Sequence, residues 1–145
     1  MKIHPTAIVD PKAELASDVV VGPYSIIKGK VTIGEGTVIE SHVNIGYEHG
    51  VVEIGKNNHL FQSSLIGGPP QDLGYSNEET KLVIGDNNIV REFATLNLGT
   101  TKDRGVTSIG NNNLLMAYVH IGHDVTVCNR TVITSCSSNC WSRIN

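Results

Sequence analysis

Large rings are scarce in this chain. Phe, Trp and Tyr make up 5% of its 145 residues, against fifteen glycines. That composition excludes a globular core built on aromatic side chains and suits a solenoid whose narrow interior is filled by aliphatics. Positive charge is not in excess either. The formal net charge is −3 with Lys and Arg dispersed, so no nucleic-acid surface is expected. No apolar run approaches the ~20 residues that a membrane-spanning helix needs. The opening Met1-Lys2-Ile3-His4-Pro5 carries no signal-peptide core. Cysteine is limited to Cys128, Cys136 and Cys140, an odd number without a framework, which is expected of reduced thiols in a cytoplasmic protein. No His or Cys follows Cys140 to complete a metal site, and no cofactor is expected.

What the chain has in abundance is a period of six. Ile3, Val9, Leu15, Val21, Ile27, Ile33, Ile39 and Ile45 recur at that step. It skips and resumes at Ile54, Leu60 and Ile66, then at Ile84, Val90 and Leu96, then from Ile109 through Leu115, Ile121 and Val127 to Ile133. All 19 landing points are Ile, Val or Leu. Four residues after most of them stands a small or medium side chain, such as Ala7, Ser25, Thr37, Ala94 or Val119. Between lie turn formers: Gly22-Pro23, Gly34-Glu35-Gly36, Gly85-Asp86-Asn87 and Gly110-Asn111-Asn112. Each hexad therefore reads as a short strand plus a corner. Three hexads close a triangular coil, and coils stack by parallel pairing ~4.8 Å apart. The expected fold is an all-β parallel β-helix of one domain.

The three interruptions add three, twelve and seven residues, and each follows the second hexad of its coil. All three loops are thus expected to leave the solenoid at one corner, stacked above one another. Insertions on one face of a repeat protein often mark its binding face.

The second hexad of the sixth coil reads Ile121-Gly122-His123-Asp124-Val125-Thr126 and turns at that same corner. A neutral His is the side chain best suited to take a proton near pH 7, and an adjacent carboxylate can orient it. His123 is expected in a solvated turn, with His120 pointing outward one step before it. The third loop brings Lys102 and Arg104 to this side, and the proline-stiffened second loop brings Gln71 and Asp72, groups suited to a polyhydroxy ligand.

Ile66-Gly67-Gly68 followed by Pro70-Gln71-Asp72-Leu73 and Tyr75, Ile84-Gly85-Asp86-Asn87-Asn88 with Arg91-Glu92, Gly99-Thr100, and the run Asn112 to Asp124 resemble the acyl-carrier-protein–UDP-N-acetylglucosamine O-acyltransferases, which begin lipid A synthesis. The resemblance covers residues 1 to about 138. It implies a left-handed β-helix, whereas the usual crossover rule would favour the right-handed form. It also implies transfer of a 3-hydroxyacyl group from acyl-carrier protein to the 3-position of a UDP-N-acetylglucosamine-type sugar. His123 would be the general base, supported by Asp124. Gln71, Asp72 and His120 would bind the nucleotide sugar, and Met116 would lie along the acyl chain. A homotrimer, with the site between neighbouring subunits, is implied as well.

Three departures qualify that picture. Gly74 stands where the family commonly has Lys, which removes a substrate contact or implies a different sugar. Asn97-Leu98 replaces the common His-Arg before Gly99-Thr100. After Ser137 the repeat is expected to fail: residues 139–145 read as an aberrant tail, Trp141 and Ser142 stand where the family has an oxyanion-donating Gly and a His, and the family's C-terminal helical domain does not follow. A shift of reading frame would account for this, and it leaves the chain with little expected transferase activity. The rival expectation is a non-catalytic trimeric β-helix that binds nucleotide sugar or is purely structural. A zinc site would require His42, His49 or His59 to join His120 and His123.

Overall fold

The computed structural model describes residues 1–135 and, as short strands, Ser138–Asn139 and Arg143–Ile144. The described residues form strands and turns with no helix, and none is long and apolar enough to cross a membrane as a helix. The strands build three seven-stranded parallel sheets, one on each side of a triangular, left-handed coil. The first sheet runs from Lys2–Ile3 to Val132–Ile133, the second from Ile8–Val9 to Ser138–Asn139, and the third from Glu14–Leu15 to Arg143–Ile144. Ile3, Val21, Ile39, Leu60, Val90, Leu115 and Ile133 stand in one register column, as the period predicts.

The hexad explains its own geometry. The landing aliphatic points inward and is buried from Val21 to Ile133. The fourth residue adopts the left-handed conformation, with φ between 57° and 65° for Tyr24, His42, Ser63, Phe93 and Tyr118 down one corner. Such a conformation costs a non-glycine residue ~1 kcal/mol, which repeated stacking has to offset. The fifth residue turns back inside, and the sixth faces out.

At the corner between the third and first sheets, that inward fifth position holds asparagine. Asn58, Asn88 and Asn113 are all buried. The Asn88 N–H donates to Asn58 Oδ1 at 2.9 Å, its Nδ2 donates to the Gly110 carbonyl at 2.8 Å, and its Oδ1 accepts from the Asn113 N–H at 2.9 Å. The ladder lets a polar side chain replace an aliphatic one inside the coil, because each amide satisfies the backbone of the next coil. Replacing Asn88 with alanine strands those groups. We expect a stability loss of about 2–4 kcal/mol in urea denaturation, since each unmet buried group costs about 1–3 kcal/mol.

The loops leave where the period places them. Residues 46–50, 69–80 and 98–105 each connect the second sheet to the third. Beyond Ile133 the strands Ser138–Asn139 and Arg143–Ile144 pair with His120–Ile121 and Thr126–Val127. Asn139 and Ile144 occupy the columns of Ile121 and Val127 although they lie only five residues apart. Cys136, Cys140, Trp141 and Ser142 lie outside the described residues.

Candidate active site

Three loops at one corner are three lengths of backbone without a sheet to pair with, so their hydrogen bonds must come from elsewhere. For the third loop a single carboxylate supplies part of this. Asp124 is the left-handed fourth residue of its hexad (φ 63°) and only 2% exposed. Its backbone N–H donates to Thr107 Oγ1 at 2.9 Å. Its Oδ1 accepts from the Thr100 N–H at 2.9 Å and the Gly105 N–H at 3.1 Å, and its Oδ2 accepts from Thr100 Oγ1 at 2.5 Å. Both ends of the third loop therefore close on one side chain. The same Oδ2 lies 3.0 Å from His123 Nδ1.

His123 is 9% exposed. This corrects the expectation of a solvated turn: the corner that the sequence marks as polar is roofed by its own loops. The loops brace one another. Leu98 is fully buried and packs on Gly50 of the first loop, where a Cβ would come within 2.4 Å of its Cδ1. Tyr47 Oη donates to Asn77 Oδ1 at 2.7 Å, tying the first loop to the second. Lys102 Nζ ties the third to the second, 3.0 Å from Asp72 Oδ2.

The structure gathers His120, His123, Asp124 and Asp72 at this corner. His120 is half-buried on the outer face of the second sheet, its Nδ1 2.7 Å from Thr95 Oγ1. Burial, and secondarily the charge of His123, hold the His120 pKa below its usual 6.5. Burial disfavours the charged ring in the folded state. The stability it confers is complete above pH 6.5 and is lost as pH falls through the lower folded value. An NMR titration of the His120 ring should therefore give a midpoint below 6.5, with unfolding becoming easier as pH drops through that range. The Asp72 carboxyl is held below the usual carboxylate range, first by the Gly74 N–H that it accepts and then by Lys102. The field of His123 also reaches Asp72. Gln71 is exposed beside it.

Met116 is not part of this cluster. It follows Leu114–Leu115 at the corner between the first and second sheets, where it lines a shallow cavity of about 190 Å³ with Arg91, Leu114, Ala117 and Ser135. Among the described residues, His42, His49 and His59 complete no metal-binding group with His120 and His123. The sequence reading missed Thr100 and Thr107 as the groups that hold Asp124. It also missed Asn97, a buried amide in the second sheet with no partner for Oδ1 among the described residues. Position 97 was visible only as a departure from the family pattern.

Fold and site together define a hexapeptide-repeat β-helix with a histidine–aspartate pair under a three-loop corner. A family model, bacterial transferase hexapeptide (six repeats), matches residues 12–47 and 107–138. Within that class the chain resembles the N-terminal part of the acyl-[acyl-carrier-protein]–UDP-N-acetylglucosamine O-acyltransferases. The protein of that name from Saccharophagus degradans is 58% identical over 133 residues, covering 92% of this chain and 50% of the relative. The one from Cupriavidus necator is 57% identical, covering 92% and 49%. Among solved structures, the UDP-N-acetylglucosamine acyltransferase of Francisella novicida superposes with a TM-score of 0.83 at 48% identity, covering 88% of this chain and 45% of that one. The enzyme of Moraxella catarrhalis gives 0.87 at 41% identity, covering 99% and 62%. The chain spans about half the length of the curated relatives it matches.

Proposed function

We propose that this chain carries the general-base half of an acyl transfer. A 3-hydroxyacyl group passes from acyl-carrier protein to the 3-position of a UDP-N-acetylglucosamine-type sugar, the first step of lipid A biosynthesis. The observation that carries this reading is the His123–Asp124 pair, 3.0 Å apart, at the corner where all three loops converge. A carboxylate bonded to Nδ1 fixes the tautomer and ring orientation, so that Nε2 is the nitrogen facing the chemistry. His123 takes the proton of the sugar hydroxyl as its oxygen attacks the thioester carbon. The C–S bond breaks, a C–O ester bond forms, and the proton passes on to the departing thiolate. Holding both substrates at one corner supplies much of the rate.

In this reading Gln71, Asp72 and His120 bind the nucleotide sugar. Met116, one corner away, lies along the acyl chain held by a neighbouring subunit, which requires the homotrimer. Residues 1–138 are the β-helical part of a cytoplasmic enzyme. The test is release of free thiol from 3-hydroxyacyl-carrier protein. We expect the release to be slow, to depend on added UDP-N-acetylglucosamine and to yield the acylated sugar nucleotide. Binding of the sugar nucleotide without any thiol release would support a non-catalytic β-helix instead.

A further inference from the structure

One cation stands where the second and third loops meet. Lys102 Nζ lies 3.1 Å from Asp72 Oδ1 and 3.0 Å from Oδ2, so the carboxylate grips the ammonium with both oxygens. The Lys102 side chain is still 61% exposed, whereas that of Asp72 is 20% exposed. Its position depends on a missing side chain. A Cβ on Gly74 would come within 2.2 Å of Nζ and 2.7 Å of Cε, so a larger residue there would oblige the flexible end of Lys102 to shift from this position. Asp72 is fixed from the other side by the Gly74 N–H at 3.1 Å. The loop's other cation, Arg104, is turned away and donates to Thr126 Oγ1 on the third sheet.

Magnitudes decide what this arrangement is for. An exposed ion pair adds only about 0–1 kcal/mol to stability, too little by itself to make it a strut between the two loops. Towards a ligand the balance is different. An anion approaching His120 and His123 passes a carboxylate held in its ionised form, and would be repelled unless a cation stood beside it. A lysine ammonium has three donors. With one directed at Asp72 Oδ1, others remain for a ligand oxygen, and a compact ammonium suits phosphate as a point charge.

We propose that Lys102 binds the diphosphate of the nucleotide sugar at this site, with Gly74 as the notch that admits it and Asp72 as the partner that orients it. This rests on the reading of the corner as a nucleotide-sugar site.

The test is calorimetric titration of the whole chain with UDP-N-acetylglucosamine. Lys102→Met, which keeps the stem and removes the charge, should weaken binding about tenfold to a hundredfold, the scale of one charge-assisted hydrogen bond. It should also flatten the salt dependence of affinity, while the melting temperature and amide protection at Thr100 and Gly105 stay unchanged. Gly74→Val keeps the charge but displaces it, and should lose a similar factor. Wild-type affinity in Lys102→Met would overturn the role of Lys102 and leave the site reading intact. Loss of affinity accompanied by loss of protection at Thr100 and Gly105 would make Lys102 a strut and likewise overturn it. No binding by the unaltered chain would overturn both.

Discussion

His123→Ala should lower acyl transfer by about 10²–10⁴-fold, the range of a positioned general base. The loss should fall on turnover more than on affinity for the sugar nucleotide, because the proton moves only as the hydroxyl attacks. The fold should survive, since the ring lies at a corner outside the aliphatic interior. The stability cost should nevertheless exceed that of a solvated turn residue. His123 is 9% exposed and bonded to a buried carboxylate, so about 1–3 kcal/mol is expected. Circular dichroism retaining the β-helix spectrum, alongside a radiolabel transfer assay, checks both parts. Unchanged turnover would remove His123 from the role of base.

Asp124→Ala should do more damage to structure than His123→Ala. It removes the acceptor for the Thr100 N–H and hydroxyl and the longer of two acceptors for the Gly105 N–H, which keeps the Thr100 carbonyl at 2.8 Å, and it leaves His123 without its orienting partner. Such losses are not additive, and about 2–4 kcal/mol of local stability is expected. The loss should appear in hydrogen exchange as a fast amide at Thr100 and a smaller change at Gly105, while Ile109 and Leu115 in the sheets remain protected. Transfer should fall with it, because the base is no longer held in one orientation. Asp124→Asn keeps the shape and should recover part of the loop order without recovering the rate. A loop as well protected in Asp124→Ala as in the unaltered chain would show that the carboxylate does not organise the corner.

The fold was legible because its signal is redundant. Nineteen aliphatic landing points specify one register, and no single position has to be read correctly. The loop corner was legible for the same reason, as each insertion interrupts the count after the same hexad. What was not legible depends on neighbours distant in sequence. The period turns Asn88 inward as a fifth residue, but its partners follow only from Asn58 thirty residues earlier and Asn113 twenty-five later. His123 reads as solvated surface because the period says nothing of how loops fold back over the corner. Lys102 reads as a solvated cation, and its contact with Asp72 depends on a glycine two residues from its partner. Handedness too was outside the reach of the period, which is the same for either hand.

The corner organised by Asp124 is the proposed binding place of the nucleotide sugar. Amide and ring NMR shifts measured while UDP-N-acetylglucosamine is added to the chain test it most directly. Shifts should change at Asp72, Thr100, Lys102, Gly105, His120 and His123, and stay still at Ala7, Ile26 and Ala13 in the first two coils. Changes confined to those early coils, or none at saturating sugar nucleotide, would contradict it.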